Sequence, residues 1–302
     1  MRILVTGREG QVAQSLVERA RRQQVDVVTL GRPELDLAGP ASSIIAAIEA
    51  LRPDAIVSAA AYTQVDKAEA EPKLAFAINE SGAAAVAAAA RRLDVPLVHL
   101  STDYVFDGSK YEPYVETDLA EPTTVYGASK LAGEKAVLAE NHNSAVLRTA
   151  WVYSPFGTNF VKTMLRLAET RDEIPIVADQ RGNPTGALDI ASGVLAVLAG
   201  LLAEANSDKR GVFHMTATGE ASWADLAGAV FDASAEAGGP SAKVRRITTA
   251  EYPTHARRPA NSRLDCSKLA QVYGLRLPDW HESLQAVVKR LVQSGASGAG
   301  TR

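Results

Sequence analysis

The sequence predicts an α/β protein built on a doubly wound parallel sheet, and three observations lead to this prediction. Short apolar strands alternate with helix-patterned segments through the first half of the chain. A glycine-containing turn, residues 7–13, joins the first strand to the first helix. Small or polar residues follow several strands, at the edge where open parallel sheets bind their ligands.

The composition excludes several classes of protein. The 302 residues are 46% apolar and carry a formal net charge of −3, so no basic stripe for nucleic acid and no polybasic membrane patch is present. No apolar run is long enough to span a bilayer. Cys266 is the only cysteine, so no internal disulfide forms, which fits a reducing compartment. We expect a cytoplasmic protein with a small-molecule partner, without nucleic acid or membrane.

The first strand, Ile3-Leu4-Val5, leads through Gly7 and Gly10 into a helix. This order of strand, turn and helix is the context that a dinucleotide-binding fingerprint requires. Gly7 permits the sharp turn, and Gly10 lets the backbone approach a pyrophosphate, whose charge the helix N-terminus favours. The spacing Gly-x-x-Gly-x-x-Ala departs from the Gly-x-Gly-x-x-Gly form, so the prediction depends mainly on the position after a strand.

The second strand, residues 25–30, is followed by Arg32. An acidic residue here would bind the ribose 2′-hydroxyl of NAD, whereas an arginine suits the 2′-phosphate of NADPH. Arg32 therefore favours NADPH, with NADH as the alternative, although arginine is also common in exposed loops. Asp36 and Leu37 end this loop, where Asp36 is either a neighbour of the adenine or a turn residue.

The next two strands also end in candidate site residues. Ala60 and Ala61 follow strand 55–58 and let a cofactor lie against the backbone. Thr102 follows the strand that contains His99, and its hydroxyl can polarise a substrate carbonyl or serve only as a strand-end hydroxyl. His99 is expected to be a satisfied core residue. Tyr104 fits a pocket wall and the core equally well.

Tyr126 and Lys130 are separated by four residues near the start of a helix-patterned run, residues 128–140. That separation places both side chains on one face of a helix. A lysine ammonium beside a phenol lowers the phenol pKa, which provides a proton donor for carbonyl reduction near neutral pH. A chance pair on a solvated face is the alternative, and the other motifs argue against it.

Several longer motifs resemble one known family. They are the segments 5–12, 59–69, 101–108, 126–134, 148–153, 159–165, 179–185 and 258–264. On these motifs the chain resembles the extended short-chain dehydrogenase/reductases, and among them the reductases of thymidine-diphosphate-linked 4-keto deoxysugars. The resemblance implies a Rossmann-like fold and NADPH-dependent reduction of a sugar C4 keto group.

The resemblance also implies roles for individual residues. Tyr126 would protonate the C4 oxygen, Lys130 would bind the nicotinamide ribose and lower the pKa of Tyr126, and Thr102 would bind the substrate near the reacting oxygen. The residues implied at the cofactor are Gly10, Gln11, Val12, Asp36, Leu37, Ala61, Tyr62 and Thr63, with Tyr126 and Lys130, and the local patterns above add Gly7, Arg32 and Ala60. The residues implied at the sugar nucleotide are Thr102, Asp103 and Trp151, with a core aromatic as the alternative for Trp151, and we add Tyr104 as a candidate pocket wall.

Departures from the family keep other functions open. Some members are Mg²⁺-linked dimers that use glutamates, one of them in the first helix, where this chain has Ser15 and Glu18. We therefore predict no metal, and a homodimer stays an open alternative. A dehydratase typically has a second acidic group where Tyr104 stands. Another deoxysugar 4-ketoreductase, an epimerase and a non-catalytic, cofactor-binding regulatory subunit are the remaining alternatives.

The second half of the chain predicts a smaller, interleaved substrate domain. We expect residues 1–150 to form the dinucleotide-binding domain, with segments near 176–215 returning to it. Residues 151–293 would mainly bind the sugar nucleotide, and residues 294–302 would form a flexible tail. In the arginine-rich segment, Arg258 and Arg263 would hold a diphosphate or belong to a solvated basic loop.

Overall fold

The computed structural model describes residues 1–203 and 207–299. Its largest element is a six-stranded sheet in the order β10-β5-β4-β3-β1-β2, and every neighbouring pair is parallel. The sheet consists of β1 (Arg2–Thr6), β2 (Asp26–Leu30), β3 (Ala55–Ser58), β4 (Leu97–Thr102), β5 (Ser144–Thr149) and β10 (Gly211–His214). The predicted α/β class and the parallel, doubly wound sheet are confirmed.

Helices cover both faces of this sheet, and further helices belong to a separate cluster. In the described residues the helices are α1 (Gln11–Arg22), α2 (Ala41–Glu49), α3 (Val65–Ala68), α4 (Pro72–Phe76), α5 (Ala83–Leu93), α6 (Val125–Glu140), α7 (Phe160–Ala168), α8 (Ala187–Ala203), α9 (Trp223–Glu236), α10 (Ser267–Tyr273) and α11 (Trp280–Ala299), with a π-helical turn at Ala77–Gly82. Alternate residues of β1 divide between two cores, because side chains of a strand point to opposite faces. Ile3 and Val5 pack with α1 and α8, while Leu4 packs with α2 and α5.

A third apolar cluster lies apart from the two cores of the large sheet and contains residues of α7, α9 and α11. Its short strands are β6 (Val152–Tyr153), β7 (Glu173–Val177), β8 (Arg181–Gly182), β9 (Thr185–Gly186), β11 (Ala221–Ser222) and β12 (Lys243–Ile247), which pair as β6 with β9, β7 with β12 and β8 with β11. We call this part of the molecule the small lobe. Between its segments, α8 and β10 return to the large sheet.

Helix α11 continues to Ala299, past residue 294, where the sequence predicts the start of a tail. Residues 300–302 lie outside the described residues. Within the described ranges, no helix has the length and apolar character needed to cross a membrane.

The strand order creates a crevice between β1 and β3. After β1 the chain builds β2 on one side, and it then crosses to build β3 on the other side. Helices leave the two strands on opposite faces at such a switch point, and ligands of open α/β sheets bind outside the strand ends there. Gly7 follows β1 and Ala59 follows β3, so both candidate cofactor segments lie at this crevice.

Candidate active site

A cleft of about 970 Å³ opens at the carboxyl edge of the large sheet, near the upper end of the size of ligand pockets. Most of the sequence-predicted site residues line it. They are Gly7, Gly10, Gln11, Val12, Arg32, Asp36, Leu37, Ala60, Ala61, Thr63, Thr102, Tyr104, Tyr126, Lys130 and Trp151. Residues from the glycine turn, from the ends of four further strands (β2, β3, β4 and β5) and from α6 thus converge on one cavity.

The glycine turn has free space and free donors for a cofactor. Gly10 is the N-cap of α1 without a side-chain cap, so the first N–H groups of the helix keep no side-chain acceptor. A Cβ built on Gly10 would meet nothing within 4 Å, which leaves the backbone open on that side. Gly7 adopts a φ of +91°, and its amide donates to the Leu30 carbonyl at 2.7 Å. These features fit a pyrophosphate at the helix N-terminus.

Charged groups gather beside the end of β2, at the side of the cleft lined by Arg32. Arg8 Nη1 lies 2.8 Å from Glu34 Oε2 and 3.3 Å from the Arg32 carbonyl oxygen. The Arg8 hydrogen bond lowers the pKa of Glu34. Arg8 also lines the cleft, and the sequence reasoning did not select it. Its position inside the glycine turn was the available signal, because a turn that binds a pyrophosphate brings its own side chains near the ribose.

Tyr126 lies in the first turn of α6, because this helix begins at Val125, before the predicted run of residues 128–140. Thr124 is its N-cap, and its hydroxyl oxygen accepts the Gly127 amide at 3.0 Å. Burial raises the pKa of Tyr126 to about 12, against the smaller lowering effect of the neighbouring Thr102 hydroxyl. The ring packs edge-on against Tyr104 at 5.7 Å between centroids. Tyr126 is therefore a protonated phenol at neutral pH.

Lys130 is buried on the same helix as Tyr126. Its Nζ donates to the Leu100 carbonyl at 2.7 Å and lies 3.3 Å from His99 Nε2, so its ammonium is hydrogen-bonded toward β4. The lowering of the Tyr126 pKa by Lys130 stays a prediction. Burial lowers the pKa of Lys130 to about 8, and the Glu134 carboxylate partly opposes this effect.

Five buried polar side chains from the sheet and from the next turn of α6 form two hydrogen-bonded groups near Lys130. His99 Nδ1 lies 3.0 Å from Ser58 Oγ, and burial holds the pKa of His99 well below its usual value. Glu134 accepts hydrogen bonds from Arg148 Nε at 2.9 Å and Nη2 at 2.7 Å. Ser101 Oγ donates to the same Glu134 carboxylate at 2.5 Å. His99 is a satisfied core residue, and it is also a direct neighbour of a candidate catalytic group.

Thr102 ends β4 with its side chain 5% exposed. Its hydroxyl donates to Asp103 Oδ1 at 2.9 Å and accepts the Tyr104 amide at 3.2 Å. Asp103 itself does not line the cleft and is buried behind Thr102. Burial raises the pKa of Asp103 to about 6, although hydrogen bonds from Ser262 and Thr102 lower it. Asp103 thus orients Thr102 from behind, while direct contact of Asp103 with a sugar stays a prediction.

The π-helical turn at Ala77–Gly82 places Asn79 beneath the cleft. Asn79 Oδ1 accepts the Tyr62 amide at 2.8 Å, and its Nδ2 donates to Ser129 Oγ at 2.9 Å. A Cβ on Gly133 would lie 2.0 Å from the Asn79 carbonyl oxygen, so only glycine lets α6 approach this turn. Asn79 therefore connects the segment after β3 with the helix that carries Tyr126 and Lys130. The role of Gly133 went unnoticed in the sequence analysis because its partner is distant in the chain.

Three further predicted site residues lie outside the lining of this cleft. Tyr62 is buried and donates its hydroxyl to Glu71 at 2.7 Å. Arg258 Nη2 pairs with Asp66 at 2.7 Å and lines a second cavity of about 620 Å³. Arg263 Nη1 pairs with Glu220 at 2.6 Å. Both guanidinium groups thus form ion pairs with carboxylates of the same chain. Their contact with a diphosphate stays a prediction.

The fold and the cleft define a short-chain dehydrogenase/reductase type of protein, with a dinucleotide turn, a strand-end threonine and a Tyr-x-x-x-Lys pair on one cavity. The family model described as "RmlD substrate binding domain" matches residues 1–293. The chain belongs to this family.

Named relatives and solved structures agree with that assignment. The dTDP-4-dehydrorhamnose reductase of Sinorhizobium fredii is 53% identical, with 98% of this chain and 99% of the relative covered. The enzyme of the same name from Escherichia coli K12 is 40% identical over 98% of this chain and 100% of the relative. Solved dTDP-4-dehydrorhamnose reductases from Clostridium acetobutylicum and, in complex with NADP, Bacillus anthracis have TM-scores of 0.89 and 0.87. Their identities are 37% and 35%, and they cover 96% and 95% of this chain and 99% and 98% of their own chains.

Proposed function

We propose that this protein reduces the C4 keto group of dTDP-4-dehydro-L-rhamnose to give dTDP-L-rhamnose, with NADPH as the reductant and NADH as an alternative. The observation that carries the proposal is the convergence of Thr102, Tyr126 and Lys130 on the cleft that the glycine turn also lines. The relatives at 53% and 40% identity carry the name of this reductase, and one similar structure contains NADP.

The cofactor, when bound, supplies the hydride that reduces C4. The residues that would hold it are those at the switch point: Gly7, Gly10, Gln11 and Val12 for the pyrophosphate, and Arg32 with Asp36 for the adenosine end. Lys130 would bind the nicotinamide ribose. Ala60 and Ala61 leave the backbone after β3 accessible along the same cleft.

Tyr126 would act as the general acid. Because its pKa is raised to about 12, the phenol keeps its proton at neutral pH and can donate it to the substrate. Reduction of the ketone places negative charge on the C4 oxygen, and the phenol proton neutralises that charge. The ammonium of Lys130, on the same helix face, would stabilise the phenolate that remains after the transfer.

Thr102 would hold the C4 oxygen in line with Tyr126. Its hydroxyl lies at the end of β4, where in the absence of substrate it donates to Asp103 Oδ1 at 2.9 Å. A donor aimed at the developing oxyanion stabilises the transition state more than the ground state. Since the Thr102 proton now points to Asp103, binding of a keto sugar requires the hydroxyl to turn toward the cleft.

Two other functions stay as alternatives. A reductase of another nucleotide-linked 4-keto deoxysugar would use the same residues on a different sugar or base. A non-catalytic regulatory subunit would bind the cofactor without turnover, although the complete set of Thr102, Tyr126 and Lys130 favours catalysis. We also propose a cytoplasmic location and small-molecule partners, and the homodimer stays a prediction that light scattering can test.

The test of the proposal is a direct assay of NADPH consumption with dTDP-4-dehydro-L-rhamnose and, in parallel, a GDP-linked 4-keto deoxysugar. We expect turnover with the thymidine substrate and formation of dTDP-L-rhamnose, identified by chromatography against a standard. Turnover of the GDP-linked sugar alone would favour a different sugar-nucleotide substrate. Cofactor binding without turnover of any keto sugar would favour the regulatory subunit.

A further inference from the structure

Trp151 has an unusual backbone conformation for a large side chain. Its φ is +46°, in the left-handed region that residues with a Cβ adopt at a cost. Trp151 lies two residues beyond β5, and β5 pairs with β4 so that Thr149 is opposite Thr102. The strained residue is therefore at the reactive edge of the sheet. Strain of this kind persists where the surroundings enforce it, and it clusters at ligand sites.

The Trp151 indole packs against Trp223 of α9 and Gly182 of β8. Trp223, the first residue of α9, stacks on it with ring centroids 3.7 Å apart and an interplanar angle of 6°. Phe160 packs against Trp223 at 4.8 Å. On β8, a Cβ added to Gly182 would lie 2.4 Å from Cε2 of Trp151, so only a glycine leaves room for the indole. The position of Trp151 is thus fixed by contacts in the small lobe.

Both indoles are only partly buried and line the cleft, together with Phe160. The chain that follows Trp151 is also anchored to the glycine turn, because Gln11 Nε2 donates to the Val152 carbonyl at 3.3 Å. An aromatic wall from the small lobe therefore faces the same space as the strand-end hydroxyl and the phenol. The parts of the indoles that stay exposed to the cleft are apolar and suit contact with the C–H groups of a pyranose ring.

We propose that Trp223 is a positioning residue, which sets the Trp151 indole as the wall for the 6-deoxy sugar ring of the substrate and so determines affinity for the sugar. The proposal rests on the proposed function, and it adds a residue and a mechanism of sugar selection to it. Trp223 acts through Trp151 and contributes no proton or hydride. Its loss should weaken sugar binding and leave cofactor binding intact.

The experiment compares Trp223→Leu, Trp223→Phe and the control Phe231→Leu in steady-state kinetics, with KM measured separately for the keto sugar and for NADPH. Phe231 lies on the same helix, is buried in the core of the small lobe and does not line the cleft. We expect Trp223→Leu to raise the sugar KM by about tenfold, with kcat and the NADPH KM within about twofold of wild type. Trp223→Phe keeps an aromatic partner and should restore most of the affinity.

An unchanged sugar KM in Trp223→Leu would overturn the proposal, as would an equal rise in the sugar KM of Phe231→Leu. If Trp223→Leu does not fold, Gly182→Ala tests the same point, since the added methyl displaces Trp151 from its other face while Trp223 stays. A raised sugar KM in that variant supports the proposal, and an unchanged one overturns it. If wild type turns over the keto sugar and the variants keep the wild-type sugar KM, only this inference is refuted. If wild type shows no turnover, the proposed function is refuted.

Discussion

Lys130 Nζ lies 3.3 Å from His99 Nε2, and both groups are buried between β4 and α6. Because the pKa of His99 is held well below its usual value, the imidazole is neutral, and its Nε2 can accept a hydrogen bond from the ammonium. The ammonium also donates to the Leu100 carbonyl. A lysine in this position keeps its charge only while its lowered pKa stays above the working pH.

The first prediction concerns pH. Burial lowers the pKa of Lys130 to about 8, so the ammonium is present below that pH and is lost above it. We expect kcat/KM for the keto sugar to fall above about pH 8, roughly tenfold for each further pH unit. Glu134→Gln removes the carboxylate that raises this pKa, so the fall should begin at lower pH.

The control for the pH experiment is Glu140→Gln on the same helix, whose carboxylate is exposed and pairs with Arg91. Its pH profile should match that of wild type. A profile of Glu134→Gln that coincides with wild type would contradict the proposed effect of Glu134 on Lys130. A purely structural effect of the substitution lowers rates without moving the pH at which they fall, so the pH–rate profile separates it from a change in the pKa of Lys130.

The second prediction concerns the proton donor. Tyr126→Phe removes the phenol hydroxyl and keeps the ring against Tyr104, so kcat should fall by ~100-fold or more. The KM for NADPH should change by less than about threefold, because the hydroxyl is not needed to fill the cleft. Tyr114→Phe, a tyrosine outside the cleft lining, serves as the control. A Tyr126→Phe enzyme with near wild-type kcat would remove Tyr126 from the mechanism.

The third prediction concerns the choice between NADPH and NADH. Glu34 neutralises Arg8 beside Arg32, which reduces the positive charge available to a 2′-phosphate. Glu34→Gln should therefore raise the ratio of kcat/KM for NADPH to that for NADH by several-fold. Arg32→Gln should lower the same ratio. Glu49→Gln, at the far end of α2 and partly exposed, should leave the ratio unaltered, and an unchanged ratio in Glu34→Gln would contradict this prediction.

The fourth prediction concerns stability. Arg148→Met leaves the Glu134 carboxylate buried without its ion-pair partner, since both side chains are at most 5% exposed. We expect a loss of ~3–5 kcal/mol in the free energy of unfolding, measured by urea denaturation. Arg91→Met breaks the exposed pair with Glu140 and should cost at most about 1 kcal/mol. Similar losses of unfolding free energy in the two variants would contradict the expected effect of burial on the Arg148–Glu134 ion pair.

Much of the fold followed from local sequence patterns. The apolar strands and the glycine turn after β1 depend on neighbouring residues, and the structure has each of them. The side chains of Thr102, Tyr126 and Lys130 share one cleft because parallel strands end at one edge, which a sequence of β-α units already indicates.

The remaining features depend on contacts between residues far apart in the chain. The stacking of Trp151 on Trp223 joins residues far apart in the chain, and the backbone of Trp151 is left-handed, so no local pattern predicts either feature. The Lys130 ammonium likewise contacts the Leu100 carbonyl and the His99 ring on β4, which the helix spacing of Tyr126 and Lys130 does not predict. Arg258 looked like a free cation in sequence, yet Asp66 is its partner across the fold.

A deuterium-transfer experiment follows the hydride from the cofactor to the sugar. Wild-type protein is given NADPH with deuterium at the transferable C4 position of the nicotinamide, together with dTDP-4-dehydro-L-rhamnose, and the product is examined by mass spectrometry and NMR. The account predicts dTDP-L-rhamnose that carries one deuterium on C4 of the sugar, formed at least ~100-fold more slowly by Tyr126→Phe. Binding of both ligands without deuterium at the sugar C4 would contradict it.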